Sequence, residues 1–237
     1  MNYIDYVIIS LILIFGIVGL LRGLFKTVIS FAGFIVVVVL AFYLKNPIAT
    51  FMYEKLPFFT LKGIFNGVTV LNIIIYEAIA FLIVAAILGV ILKVIMIVTN
   101  ILDKVLNIFI FMGLPSKILG FVVGLIEGYI ISFIVLFVSV QLNYKLSDID
   151  ASKYGNKILK DTPFISSIVK NTYDSFMEIY NLRSTYENTD KYNEVAFETL
   201  IKNKVLSIKS AKKLVETEKV KINNADEIIK KYEKGDE

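Results

Sequence analysis

The chain has 237 residues and contains no histidine, no cysteine and no tryptophan. Without imidazole it can build no Ser-His-Asp triad and no histidine-ligated metal site, and without thiols no zinc knuckle, iron–sulfur centre or disulfide. Most hydrolase and redox mechanisms are excluded on those grounds, whereas the missing thiols leave the compartment open. Charge is also scarce: 19% of residues are charged and 57% hydrophobic, against about 25% and 45–50% in soluble domains. Mean hydropathy is +0.72. The scarcity is uneven, with eight Lys/Arg and five Asp/Glu in residues 1–144 but seventeen and sixteen in 145–237. The net charge of +4 therefore sits mostly among apolar segments, and a nearly balanced tail is a poor phosphate-backbone binder, so no nucleic-acid partner is expected.

What is present is a set of long uncharged runs. Tyr6 to Leu21 lacks a basic stretch before it and a small-residue cleavage site after it, and reads as a retained span over about 3–21 rather than a secretory signal. Thr27 to Leu44 is 18 residues, about 27 Å as helix against an apolar core of about 30 Å, and gives a span over 24–44. Only Arg22, Gly23 and a few neighbours separate the two, which predicts a tight antiparallel hairpin. Residues 45–62, with Pro47, Pro57 and four charges, read as a loop or surface segment. From Gly63 to Leu92 the only charge is Glu77, which predicts a span near 72–92. That carboxylate either is functional, the default for an acid within a span, or sits near headgroups or bonds a neighbouring helix. Asn100, Asp103, Lys104 and Asn107 share one helical face opposite isoleucines and valines, predicting an interfacial helix over 94–112. Gly113-Leu114-Pro115 ends it, Ser116 is an N-cap candidate, and Ile118 to Tyr144, broken only by Glu127, is the fourth span over 118–144.

Glycines mark the first and fourth spans as packing surfaces. Gly16, Gly19 and Gly23 lie on the first, and Gly120, Gly124 and Gly128 form a doubled GxxxG on the fourth, where absent side chains let helices approach closely. The segments Gly19-Leu20-Leu21-Arg22-Gly23 and Gly124-Leu125-Ile126-Glu127-Gly128 also resemble each other, suggesting two related hairpins. Their matching positions carry Arg22 and Glu127, which four spans bring to one membrane side, so an ion pair is topologically allowed. Arg22, Glu77, Glu127 and Lys117 are the candidate intramembrane charges. Lys/Arg near the span ends divide seven (with the N-terminus, the 45–62 loop and the tail) against five, which predicts cytoplasmic termini.

Asn2-Tyr3-Ile4-Asp5-Tyr6, the Gly19 to Gly23 segment with Lys26, Pro115-Ser116-Lys117-Ile118-Leu119-Gly120 and the Gly124 to Gly128 segment together resemble the bacterial colicin V production protein (CvpA) family. The likeness covers residues 1–145, with a looser match at Thr162-Pro163-Phe164. Ser116 stands where the family usually has an acid, and Glu127 where it usually has an arginine, so a basic role at the latter position does not carry over. The resemblance implies a multi-pass protein of the bacterial cytoplasmic membrane, linked to toxin production and envelope homeostasis, with no established catalytic activity. Relatives fused to a serine protease are no precedent for a chain without histidine.

The tail shows neither nucleotide-binding glycines nor paired acids at metal spacing. Phe164, Ile168, Tyr173, Phe176, Ile179 and Tyr180 give an amphipathic helix over 164–183 that lies on the bilayer or packs on the bundle, and 192–206, 208–218 and 224–233 read as short helices, the last capped by Asn224. Lysine runs such as Lys209 to Lys213 are a solvated face or a headgroup-attracting one. The expected architecture is an all-α polytopic helical bundle: a transmembrane domain over 1–144, an amphipathic juxtamembrane segment over 145–185 and a polar helical extension over 186–237. The expected function is a non-enzymatic membrane scaffold or accessory factor, with a small channel or transporter as the rival. No cofactor and no metal is expected, and the expected partners are the lipid bilayer and a second copy or another membrane protein.

Overall fold

The computed structural model describes residues 2–61, 66–99, 114–142, 148–149, 151–163, 165–182, 185–186 and 188–233. Every regular element among them is helical: α1 Tyr3–Arg22, α2 Leu24–Lys55, α3 Asn72–Thr99 preceded by a 3-10 turn Thr69–Leu71, α4 Leu114–Gln141, α5 Lys153–Asp161, α6 Ile165–Leu182, α7 Thr189–Lys202, α8 Ile208–Glu216 and α9 Ala225–Glu233. Four segments, Tyr3–Arg22, Leu24–Lys55, Thr69–Ile97 and Leu114–Gln141, are long and apolar enough to cross a membrane. The all-α architecture with four candidate spans is as expected.

Several boundaries differ from the sequence reading, each for a local reason. A single residue separates α1 from α2: Gly23, at φ +75°, donates its N–H to the Gly19 carbonyl, a backbone conformation that glycine adopts without strain. α2 does not stop at Leu44 but runs through Pro47 to Lys55. A mid-helix proline costs a hydrogen bond, but Ala41, Lys45, Ala49 and Tyr53, four residues apart, are all buried, and this packed stripe keeps the helix going. Residues 45–55 are therefore helix rather than loop. α3 likewise continues past Lys93 to Thr99, so the first positions assigned to an interfacial helix belong to it; the rest of that expectation, residues 100–112, lies outside the described residues. α4 starts at Leu114, with Pro115 in the first turn, where its missing N–H costs nothing. Ser116 lies inside α4 rather than capping it, and its hydroxyl accepts the Leu24 N–H at 3.1 Å.

Contacts divide the chain into two compact units: residues 1–44 with 81–166, and residues 45–80 with 167–237. The boundary read from composition near residue 144 does not coincide with this division, because composition follows polarity whereas a unit follows which apolar faces meet. In the first unit α1 packs along α4, and α5 contacts both. In the second, Val70, Leu71, Ile73 and Ile74 are buried near the start of α3, as are Tyr173, Phe176 and Ile179 of α6, Tyr192, Phe197 and Leu200 of α7, Leu214 of α8 and Ile228 of α9. The apolar face of α6 is thus turned into a helical core and is not free to lie on a bilayer. Of the tail helices, α8 is capped by Ser207, whose hydroxyl accepts from Ser210 N–H. At α9 the Asn224 side chain instead donates to Glu194, while its carbonyl takes the Ile228 N–H.

Candidate functional site

The first unit is organised by a glycine seam between α1 and α4. A Cβ added at Gly19 would fall on the Gly120 carbonyl, one at Gly120 on that of Gly19, and one at Gly124 on that of Phe15, all closer than 3.0 Å. At Gly128 it would meet Ile12 Cα at 2.7 Å, and at Gly16 the Leu125 side chain at 2.7 Å. Backbone-to-backbone approach of this kind needs glycine on both helices, at i, i+3 and i+7 on α1 and i, i+4 and i+8 on α4. Gly23 closes the seam beside the Ser116 hydroxyl, so all six glycines singled out in the sequence lie along one contact. Thr27 continues the end of the seam, donating to the Gly23 carbonyl at 2.8 Å.

At the far end of α1 stands a polar node that sequence reasoning did not single out. Asp5, fully buried, accepts the Asn2 N–H at 2.8 Å, the Ser152 hydroxyl at 2.6 Å and the Tyr154 N–H at 3.1 Å. Ser152 in turn caps α5 by accepting the Gly155 N–H at 2.8 Å. Asn2 and Tyr3 add bonds to the Asp148 carbonyl and carboxylate at 2.6 and 2.8 Å. The other end of α5 is held by Thr162, whose hydroxyl donates to Tyr129 on α4 at 3.1 Å. A buried carboxylate with three donors is well satisfied, and this one fixes α5 across the α1–α4 pair. The early Asp and the cap spacing Ser152-x-x-Gly155 were visible in the sequence; their meeting across 147 residues was not.

The candidate charges separate. Glu127 is buried and Arg22 exposed, and among the described residues no ion pair joins them; the guanidinium acts on the carboxylate only through space. The expected pairing is therefore not a contact in this structure. Lys117 is exposed near the start of α4. Glu77 has a different partner: in the second unit its carboxylate takes a hydrogen bond from Lys45 Nζ at 2.7 Å, with both side chains under a tenth exposed. Tyr53, one turn beyond Ala49 on the same stripe of α2, feels the Glu77 charge and bonds Thr50 at 2.9 Å and Ser210 of α8. Charges within apolar helices are tolerated when paired in this way. The Lys45–Glu77 pair was missed because Pro47 made Lys45 read as the edge of a loop.

Around that pair the tail helices bind Glu54, Leu56, Gly67 and Val70 through polar contacts. Lys213 pairs with Glu54, Lys219 donates to the Leu56 carbonyl at 2.6 Å, and Asn193 bonds the Val70 N–H at 3.4 Å and the Gly67 carbonyl at 3.0 Å. The lysine run Lys209 to Lys213 is thus partly engaged with protein.

No curated protein and no solved structure matches the chain. A family profile described as colicin V production protein matches residues 4–160. That interval takes in both faces of the glycine seam, Asp5 and Ser152, and the Lys45–Glu77 pair. The family is not known as enzymatic, and its profile together with the four apolar helices fits a multi-pass membrane protein. The chain belongs to the colicin V production protein family.

Proposed function

We propose that the protein is a non-enzymatic scaffold or accessory factor of the bacterial cytoplasmic membrane, serving toxin production or secretion and envelope homeostasis, with both termini in the cytoplasm. The observation that carries this reading is the seam. Carbonyls and Cα atoms of α1 and α4 lie where a methyl group would fit on neither side, so the two helices form a closed, rigid plate with no passage between them. The Asp5 node locks α5 onto the same plate. A rigid surface with satisfied polar groups suits holding partners better than moving a solute. The partners are lipid on the apolar faces and a second copy or another membrane protein.

The rival reading, a small channel or transporter, draws on one feature: the buried Lys45–Glu77 pair in two candidate spans, since charges at such positions mark ion and proton pathways. Flux across liposomes containing the purified protein separates the two. A scaffold gives no selective flux of protons, sodium, potassium or chloride above that of protein-free liposomes. Selective flux abolished by Glu77→Gln, in a variant that keeps its thermal transition, would put the transporter reading first.

A further inference from the structure

Three helix ends of the first unit converge on Gly23. A Cβ on Gly120 would lie 2.9 Å from Gly23 Cα, one on Gly23 would lie 3.1 Å from the Ser116 hydroxyl, and that hydroxyl takes the Leu24 N–H. Each helix places one cation within about a turn of this junction: Arg22 is the last residue of α1, Lys26 the third of α2 and Lys117 the fourth of α4. Arg22 and Lys117 are exposed and Lys26 is half-buried. Among the described residues no ion pair engages any of the three.

Acids that could neutralise them are few. Residues 1–44 and 81–142 contain Asp5, Asp103 and Glu127. Asp5 belongs to the other end of α1, and Glu127 is buried about three turns along α4 from Lys117. Asp103 falls in residues 100–113, outside the described residues, and is matched in sequence by Lys104, so that stretch brings no net charge. The junction therefore keeps an excess of positive charge.

The same junction carries the two most exposed large apolar side chains among the described residues, Leu21 at 74% and Leu114 at 71%. Leu21 precedes Arg22, and Leu114 stands one turn before Lys117. Cations interleaved with bare leucines suit neither water nor hydrocarbon alone. They suit the layer where headgroup phosphates stand above acyl chains.

We infer that this junction binds the headgroup of an anionic phospholipid, with Arg22, Lys26 and Lys117 around the phosphate and Leu21 and Leu114 against the glycerol and upper acyl chains. The guanidinium offers paired donors to a phosphate, and the ammonium groups add point charges. A zwitterionic headgroup carries its own cation beside the phosphate, which offsets the attraction, so the site selects for net negative charge. The seam supplies the geometry, since helices that meet backbone to backbone hold their terminal cations close together. The site goes beyond the scaffold reading and depends neither on it nor on orientation, because either leaflet presents headgroups.

The test is native mass spectrometry of the full-length protein, released from detergent micelles after titration with phosphatidylglycerol or with phosphatidylcholine. Phosphatidylglycerol binds saturably and about tenfold or more tightly than phosphatidylcholine. Arg22→Gln with Lys117→Gln removes most of that preference, at about fivefold for each cation lost, whereas Arg22→Lys with Lys117→Arg keeps both charges and retains it. Should the double Gln variant lose its thermal transition, Lys117→Gln alone, at an exposed position, carries the same prediction at about fivefold. Lys93→Gln is the control: Lys93 is exposed on α3 beside the Leu92 that meets Gly33, not at the junction, and its loss leaves the preference unchanged. Equal affinity for the two lipids, a preference that survives the Gln variants, or an equal loss from Lys93→Gln overturns the site.

Discussion

A buried Lys–Glu pair is an uneven partnership: its two members cost each other little when together and much when alone. Lys45 and Glu77 are both nearly excluded from solvent, so removing either takes a buried ionic partner away from the other. Lys45→Met or Glu77→Leu alone should destabilise the fold by roughly 3–5 kcal/mol, and the double variant should recover most of that, because an apolar pair of similar volume is often as stable as the ions it replaces. Thermal unfolding in detergent measures all three; strictly additive losses would mean that the two groups do not depend on each other. Glu77 could be identified from sequence alone as a carboxylate in need of a partner. Its partner could not, since it lies on another helix 32 residues away, beyond a proline that promised a break. The same limit produced the opposite error at Arg22 and Glu127, where matched positions in a short repeat suggested a contact that the geometry does not make. A repeat shows which positions are equivalent and leaves open where the side chains end.

At the level of helices, the glycine periodicity was the most legible signal. Spacings of three and four put Gly16, Gly19 and Gly23 on one face and Gly120, Gly124 and Gly128 on another, and those faces meet. Less legible were the lengths, because an apolar run gives the part of a helix that suits lipid and not the part that suits protein. α2 and α3 both continue beyond their uncharged cores. Gly124→Leu should therefore strike the Phe15 carbonyl, which is backbone and cannot move aside as a side chain can. The cost of such overpacking is about 1–3 kcal/mol or more, seen as a lower unfolding temperature and folded yield. Gly89→Leu on α3 is the matched control, since a Cβ there meets nothing within 4 Å, and leucine favours helix over glycine by close to 1 kcal/mol. Equal tolerance at the two sites would remove the seam as a packing device.

Across the whole molecule, composition and contact divide the chain differently. The polar tail starting near residue 145 is one block by charge, yet α5 belongs with α1 and α4, whereas α6 to α9 belong with residues 45–80. A helix of mixed polarity does not announce which of two apolar surfaces it will cover. The proposed orientation is tested at this scale. Because the native chain has no cysteine, Lys191→Cys on the exposed part of α7 reports without background. In intact cells with an opened outer wall it should resist an impermeant thiol reagent and react after lysis; labelling before lysis would reverse the orientation.

The seam also has a consequence in time. Its two sides are about a hundred residues apart, Gly19 against Gly120, and a ribosome adding about 5–20 residues per second needs roughly 5–20 s to cover that distance. Throughout that interval α1 is already made while the surface that fits it is not. Its bare face, with carbonyls bonded within the helix, waits against lipid or a neighbour's small residues. The plate is therefore completed late in synthesis, and a chain interrupted before Gly128 would present a first helix still open to other partners.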